Sequence, residues 1–474
     1  MKKLTARPRT GSLERFASAA TAWTERWFPD SYIFALLAVT LVIFGAMAAG
    51  VKPGAVVKAF GEGYWSLIPF TLQMAMVVIS GYVVASSPAI EKCIAWLATH
   101  PKSERGAVAY VAFLSILASL LNWAFSLVFG GLYVRALARR TDLRVDYRAA
   151  SAAAYLGLGA TWALGLSSSA AQLQANVESI PKSLLPITGV IPFSETIFLP
   201  QSLLMLAILT VVSIAVAYFS APTRDRAITA AELGIDLTDS RKIQKPLKPG
   251  DWLENSPILM ILMGMIGLAW FAQELSSKTF VSAISNLNTY NFLFITIGIL
   301  LSWRPVRFLT SVSKAVPSTA GILVQFPIYG SIALILTQAT TGEGSTLSHI
   351  LSQFFVSLSN HDNYSALMGI YSAILGFFIP SGGGKWIIEA PYLMQAANDL
   401  KVHLGWTVTV YNAAEALPNL VNPFFMIALV GVLGLKSRDI IGYTVTQFVV
   451  HAPLVIFLLW FFGRTLPYHP PMVP

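Results

Sequence analysis

The clearest guide to how this chain folds is a break in a long apolar region, Phe378-Ile379-Pro380-Ser381-Gly382-Gly383-Gly384-Lys385-Trp386. Proline ends a helix, three glycines allow a tight turn, and the residues from Lys385 onward resume a helical pattern. The break interrupts a long apolar region that offers no water to the freed backbone groups. Irregular backbone at membrane depth survives only where it is buried in protein or lines a cavity. The stretch therefore predicts the tip of a helical hairpin inside a membrane protein.

The composition excludes a soluble protein. The chain has 474 residues, is 55% hydrophobic and has a mean hydropathy of +0.64. Its charged residues form clusters between uncharged runs at 31–51, 63–90, 106–134, 149–177, 196–223, 255–273, 279–303, 315–342, 363–384, 416–435 and 440–463. Most of these runs exceed the roughly 20 residues that a spanning helix needs. The pattern predicts an all-α polytopic membrane protein.

The net charge of +9 does not indicate a nucleic-acid partner. Lysine and arginine lie in short loops between the apolar runs, which is the positive-inside pattern of a multi-pass protein in the cytoplasmic (inner) membrane. The basic residues of 1–30 place the N-terminus in the cytoplasm, and an apolar stripe there, with Trp23 and Trp27, predicts a helix on the inner membrane surface. The single cysteine, Cys93, excludes an intramolecular disulfide.

Two uncharged segments predict re-entrant hairpins. The segment 106–134 has basic clusters on both flanks, so a single span would place one cluster outside. A hairpin keeps both clusters in the cytoplasm, and its tip would contain Asn122 and Ser126. We therefore favour the hairpin over a single span. The second hairpin, 364–397, is centred on the glycines of the opening stretch.

The order of these elements predicts an inverted repeat with about nine spanning helices and two re-entrant hairpins. The two halves match in topology and spacing rather than in residue identity. The expected divisions are an interfacial helix at 1–30, a first repeat at 31–221 with hairpin 106–134 and broken helix 149–177, a cytoplasmic linker at 222–256, a linking span at 257–273, an inverted second repeat at 280–463 with hairpin 364–397 and broken helix 404–433, and an external tail at 464–474.

The second tip is the first candidate binding site. The start of a helix exposes unpaired N–H groups that attract anions, and Ser381, Gly382, Gly383 and Gly384 suit a close approach to such a ligand. A purely structural turn would also explain the glycines. Lys385 has two readings: it supports a bound anion, or it pairs with Glu389 or Glu415.

The broken helix 404–433 is the candidate for ion coupling. Asn412, Glu415, Asn419 and Asn422 cluster beside two prolines. Backbone carbonyls and asparagine oxygens could coordinate Na⁺, and Glu415 could instead carry a proton. The alternative is that these side chains only cap the backbone freed by proline.

The first half offers a corresponding set of polar side chains. Its candidates for substrate binding are Ser167, Ser168, Ser169, Asn122 and Ser126, and Asn122 is also a candidate for cation binding. Serines in membrane helices often bond their own backbone, which is the structural alternative.

No enzyme motif stands out. The SGGGK sequence at 381–385 lacks the GxxxxGK[ST] spacing of a phosphate-binding loop, and neither HExxH nor GxSxG occurs. The six histidines have no metal-ligand spacing. We expect a membrane transporter that has no cofactor, with Na⁺ or H⁺ as the candidate coupling ion.

Several motifs together resemble the short-chain fatty acid transporter family, which is similar to a superfamily of two-hairpin, elevator-type ion transporters. The resemblance spans nearly the whole chain. Its anchors are Asn122-Trp123 with Gly130-Gly131, Ala152-Ala153-Ala154-Tyr155, Gly165-Leu166-Ser167, Pro380-Ser381-Gly382-Gly383-Gly384, and Glu415-Ala416-Leu417 through Asn419 to Pro423-Phe424.

The resemblance implies cation-driven uptake of small monocarboxylates such as butyrate or acetoacetate, by an elevator motion in a homodimer. The apolar substrate tail would meet Trp123, Trp162 or Trp386. An anion channel, or a transporter of another small carboxylate, is the alternative function.

Overall fold

The computed structural model describes residues 31–237, 248–379 and 382–472. The helices of the first half are α1 Ser31–Ala48, α2 Pro53–Tyr64, α3 Ile68–Ala85, α4 Pro88–Leu97, α5 Glu104–Leu121, α6 Trp123–Ala138, α7 Tyr147–Leu156, α8 Ser169–Gln174, α9 Leu185–Thr188 and α10 Pro200–Ser220. Those that follow are α11 Pro249–Asn255, α12 Ile258–Ser277, α13 Phe280–Ser285, α14 Leu287–Ser302, α15 Pro305–Ala315, α16 Ala320–Gln338, α17 Leu347–Leu358, α18 Tyr364–Phe378, α19 Gly382–Asp399, α20 Leu404–Asn419, α21 Pro423–Leu433 and α22 Ser437–Gly463.

The protein is an all-α, multi-pass membrane protein. In the described ranges, seven helices or runs of helices are long and apolar enough to cross a membrane, and shorter apolar helices accompany them. Large apolar side chains such as Leu41, Phe44 and Phe219 are exposed on the outer surface. Such a surface is unfavourable in water and suits contact with lipid.

The chain reverses at Asn122, so that α5 and α6 pack against each other as a helical hairpin. Asn122 has extended backbone and caps α6, because its Oδ1 accepts the Phe125 N–H at 2.9 Å. Below the tip, Ser126 Oγ donates to the carbonyl of Ser115 on the other arm at 2.7 Å. One asparagine therefore ends one helix and starts the next.

The second hairpin consists of α18 and α19 and turns near residue 379. Hydrogen bonds join its arms at two levels. Lys385 Nζ donates to the Ser372 carbonyl near the tip at 2.9 Å, and Tyr364 Oη donates to the Leu393 carbonyl farther along the arms at 2.6 Å.

Each half also contains an interrupted helix. In the first half α7 continues into a π-helical turn at Gly157–Thr161 and a 3₁₀ turn at Trp162–Leu164, and α8 begins at Ser169. In the second half the interruption is shorter, since only residues 420–422 separate α20 from α21. Pro418 lies within the last turn of α20 rather than at the break.

The helices α2, α4 and α15 lie between the long apolar helices or at their ends. Proline at the first or second position starts each of them. The proposed interfacial helix at 1–30 lies outside the described residues.

Residues 222–237, the described first part of the predicted linker, fold back onto the start of α7. The Ile228 N–H donates to Asp146 Oδ2 at 2.9 Å. The backbone N–H of Thr229 donates to the Glu232 carboxylate, and this bond is the main cause that holds the pKa of Glu232 below its usual value. The segment thereby anchors the first broken helix.

Candidate functional site

The two hairpins and the two interrupted helices converge in the interior. The start of α19 lies against α8 and α20, and α20 in turn packs against the π-helical turn that follows α7. Tyr411 Oη donates to the Gly382 carbonyl, which ties the start of α19 to α20. Every residue of α8, α20 and the π-helical turn is buried.

Lys385, Glu389 and Glu415 form a buried ionic triad. Their exposed fractions are 0%, 0% and 1%. Lys385 Nζ lies 3.0 Å from Glu389 Oε1 and 2.9 Å from Glu415 Oε2, and it lies 4.4 Å from the centre of the Tyr411 ring. Burial of this kind is tolerated only when opposite charges are paired.

The two carboxylates of the triad are bound differently. The Lys385 N–H groups are directed at Ser372 Oγ at 2.6 Å, the Ser372 carbonyl at 2.9 Å and Glu389 Oε1 at 3.0 Å. The contact with Glu415 is an ion pair at 2.9 Å, in addition to these three directed hydrogen bonds. Neither oxygen of Glu415 has a hydrogen-bond partner in the described part of the chain.

Aromatic rings surround the first turn of α19. A Cβ atom on Gly382 would lie 2.5 Å from Trp162 Cη2, and one on Gly383 would lie 3.2 Å from rings of both Phe70 and Phe326. These two phenylalanines stack with their ring centres 5.7 Å apart. The absence of side chains at residues 382 and 383 therefore lets an aromatic box close around this backbone.

Trp162 brings an unused donor to the same place. Its side chain is 5% exposed, and its indole N–H has no hydrogen-bond partner among the described residues. A Cβ on Gly382 would also lie 2.9 Å from Trp162 Cζ2. The six-membered ring of the indole therefore packs against the start of α19.

Trp386 and Gln174 extend the polar lining. Trp386 Nε1 donates to Gln174 Oε1 at 3.5 Å, and the Trp386 and Tyr411 rings lie 4.8 Å apart. Gln174 is fully buried, and its Nε2 has no partner within the described ranges. Two buried donors, on Trp162 and Gln174, thus flank the first turns of α19.

The first tip is closed by its own hydrogen bonds. Asn122 Nδ2 donates to the Val77 carbonyl at 3.1 Å, so both ends of its amide are engaged. Ser167 Oγ accepts the Trp123 N–H at 3.0 Å. Ser168 caps α8 by accepting the Ala171 N–H at 3.4 Å, and Ser169 is the first residue of that helix.

The asparagines of the second broken helix are spread along it. Asn412 is buried one turn from Glu415, and its Nδ2 has no partner in the described residues. Asn419 Nδ2 donates to the Leu158 carbonyl at 3.4 Å, and the carbonyl of Asn419 accepts from Tyr155 Oη at 2.8 Å. Asn422 continues the turn, since its N–H donates to the Pro418 carbonyl at 2.9 Å.

The structure brings together only part of the predicted set. Gly382, Gly383, Gly384, Lys385 and Glu415 lie in one region with Asn412, and Ser126 lies between the arms of the first hairpin. Ser381 falls outside the described residues. Sequence reasoning did not identify Ser372, Gln174, Phe70 or Phe326. These residue types are common in membrane helices, and only packing distinguishes them.

Comparisons with known proteins agree with this architecture. The sequence model described as "Short chain fatty acid transporter" matches residues 12–462. A protein of Escherichia coli (strain K12) is 33% identical over 96% of this chain and 99% of its own length. A protein of Haemophilus influenzae (strain ATCC 51907 / DSM 11121 / KW20 / Rd) is 31% identical over 95% of this chain and 100% of its own length. Both carry the name "Putative short-chain fatty acid transporter".

The fold also has a solved counterpart. The YdaH transporter of Alcanivorax borkumensis superposes with a TM-score of 0.55 at 16% identity, covering 96% of this chain and 100% of that chain. The likeness at this identity concerns the fold alone. The family match and the two relatives indicate a membrane transporter of a small molecule rather than an enzyme. This chain belongs to the short chain fatty acid transporter family.

Proposed function

We propose that the protein is a secondary active transporter that carries butyrate, acetoacetate or a related small monocarboxylate across the cytoplasmic membrane. The family gives the substrate class. The observation that carries the proposal is the start of α19, where the buried Trp162 ring packs against the first turn of a helix and its indole N–H has no partner among the described residues. A carboxylate there meets hydrogen-bond donors and the positive end of the helix dipole.

The substrate site contains the predicted tip residues together with neighbours from other helices. The carboxylate lies against Ser381, Gly382, Gly383 and Gly384, and Lys385 supports this turn through its buried ion pairs. The rings of Trp162, Phe70 and Phe326 contact a short apolar tail. A box that three rings close so tightly favours tails of a few carbon atoms over long chains.

Movement of the substrate is coupled to a cation, Na⁺ or H⁺. The hairpins are re-entrant, the two repeats are inverted, and together with the broken helices they form a unit that moves as an elevator within each protomer of a homodimer. The N-terminus is cytoplasmic. The positive-inside pattern and the two helical hairpins support this arrangement.

Uptake of labelled butyrate by purified protein in liposomes tests the transport function. We expect saturable uptake and counterflow, in which internal unlabelled butyrate drives labelled butyrate inward. Protein-free liposomes measure passive entry of the uncharged acid, and octanoate should compete less well than acetoacetate. Uptake that neither saturates nor shows counterflow would instead support the alternative function, an anion channel.

Trp162→Phe tests the site, because it keeps the ring and removes the N–H. We expect the half-saturating butyrate concentration to rise by about 10- to 100-fold, since a hydrogen bond to a charged group is lost. Trp252→Phe on the exposed surface of α11 is the matched control and should leave uptake unchanged. If Trp162→Phe and Trp252→Phe have the same half-saturating butyrate concentration, the indole N–H of Trp162 does not bind the substrate.

A further inference from the structure

The buried triad has one negative charge too many. Two carboxylates, Glu389 and Glu415, surround a single ammonium group, so full ionisation leaves a net charge of −1. All three side chains are sealed from solvent by α18, α19 and α20. An uncompensated charge in such a place is strongly unfavourable, and a single bound proton removes it.

The hydrogen-bond geometry distinguishes the two carboxylates. A lysine ammonium has three N–H donors. Ser372 Oγ, the Ser372 carbonyl and Glu389 Oε1 provide three acceptors at 2.6, 2.9 and 3.0 Å. Glu415 therefore receives no hydrogen bond from Lys385, and no other described residue supplies one. The Glu415 carboxylate is a fourth neighbour of the ammonium, 2.9 Å from Nζ, beyond the three acceptors to which the N–H groups are directed.

We propose that Glu415 carries the coupling proton and that Lys385 and Glu389 remain a fixed ion pair. This proposal rests on the proposed transport function. Outside, a Glu415 carboxylate oxygen takes a proton from water and forms an O–H bond. That bond breaks when the site opens to the cytoplasm and the proton returns to water. Each carboxylate substrate thus enters with one proton.

The same geometry argues against Na⁺ at this site. The Lys385 ammonium already lies within 3.0 Å of oxygens from both carboxylates, so Na⁺ bound by these oxygens would lie close to a second positive charge. Na⁺ also requires several oxygen ligands, whereas a proton requires only one.

In the described ranges, no ion pair joins another charged side chain to the triad. On α18, the backbone of Gly376 lies beside Glu415, since a Cβ there would lie 3.2 Å from Oε2. The remaining titratable side chains around the triad are neutral tyrosines from α18, α19 and α20, namely Tyr364, Tyr371, Tyr392 and Tyr411. Protonation of Glu415 therefore changes the charge between α19 and α20 from −1 to zero.

The experiment compares Glu415→Gln with the wild-type protein in liposomes that contain a pH-sensitive dye. It is run at a pH at which butyrate is almost fully ionised, and protein-free liposomes are subtracted. Wild type should accumulate butyrate under an inward proton gradient and admit protons with it. Glu415→Gln resembles the protonated state, so it should keep counterflow within about tenfold of wild type but lose proton entry. Glu62→Gln, on the exposed face of α2, is the matched control and should behave as wild type.

Two further variants keep the proposal falsifiable. Glu415→Asp retains a titratable group, so proton entry should persist. Glu389→Gln leaves Glu415 and Lys385 as a neutral ion pair, so Glu415 should stay ionised. Because it then does not take up the proton that moves with the substrate, counterflow itself should fall. Proton entry through Glu415→Gln, or its loss in Glu415→Asp while counterflow remains, would overturn the proposal. Accumulation driven only by Na⁺ would overturn it and leave transport standing, whereas a wild-type protein without counterflow would contradict the transport function.

Discussion

At the scale of single residues, the position that most constrains the site is Gly382. It is the first described residue after the second tip, and its carbonyl accepts a hydrogen bond from Tyr411. A side chain at this position would occupy the space of the Trp162 ring. Glycine is therefore required by close approach of the indole, a reason separate from the backbone turn that the sequence suggested.

We expect Gly382→Ala to destabilise the protein and slow butyrate uptake. Its Cβ would lie 2.5 Å from Trp162 Cη2, so the indole or the start of α19 must shift. Such overpacking costs about 1–3 kcal/mol in the free energy of unfolding. Thermal unfolding in detergent measures this loss, and uptake in liposomes measures the effect on transport.

The control is Gly61→Ala in α2, where no atom lies within 4 Å of the added Cβ. Alanine favours a helix by about 0.5–1 kcal/mol over glycine, so this variant should be unchanged or slightly more stable. If both alanine variants unfold alike, the close approach of Trp162 does not constrain residue 382.

At the scale of elements, the two hairpins differ in how they turn. The first uses one extended residue, Asn122, whose side chain caps α6 and also reaches the Val77 carbonyl on α3. The second has three glycines at the start of α19, and hydrogen bonds from Lys385 and Tyr364 join its arms. Polar bonds between arms are valuable in lipid, where a lost partner is not replaced by water.

If the first hairpin is re-entrant, both of its ends lie on the cytoplasmic side. We expect Lys102→Cys and Thr141→Cys, each in a Cys93→Ser background, to react with an impermeant thiol reagent from that side only. Both positions are exposed, before α5 and after α6. Labelling of intact cells and of inside-out vesicles measures the sidedness.

Two reference positions calibrate this experiment. A cysteine in Trp252→Cys should react only from the cytoplasmic side, and a cysteine in Glu343→Cys only from outside. Both positions are exposed. Reaction of positions 102 and 141 from opposite sides would mean that residues 106–134 cross the membrane as a single span.

At the scale of the whole molecule, an elevator requires one unit to slide past another. The proposed moving unit contains the hairpins and broken helices, and the proposed fixed unit contains α3, α14, α15 and α16. A polar contact crosses this boundary, because Asn288 Nδ2 at the start of α14 lies 3.5 Å from Glu178 Oε2 in the segment after α8. Within the fixed unit, Ser86 Oγ donates to Ser311 Oγ at 3.1 Å.

We expect a covalent link across this boundary to stop transport. Cysteines at positions 178 and 288, joined by a short bifunctional thiol reagent, should lower butyrate uptake at least ~10-fold, because the required domain motion is blocked. Reduction of a cleavable linker should restore it. Cysteines at positions 86 and 311, joined in the same way, should transport normally. Undiminished uptake after complete linking of 178 to 288 would contradict motion at this boundary.

Apolar length and local helix-breaking chemistry were enough to predict the class of the protein and the region of its second turn. Apolar runs longer than a bilayer needs can only be membrane helices, and proline with glycine marks the second tip by local chemistry alone. Helical spacing also named Glu389 as a partner of Lys385, because residues four apart share a helix face. The sequence left the choice between Glu389 and Glu415 open.

The packed fold was needed to show that Lys385 lies within 3.0 Å of both carboxylates and that two of its hydrogen bonds go to Ser372. It also placed Trp162 against Gly382, 220 positions along the chain. These relations depend on how α18, α19 and α20 pack and rotate against one another. Helix packing is set by the summed fit of many apolar side chains, and no local pattern of residues contains that sum.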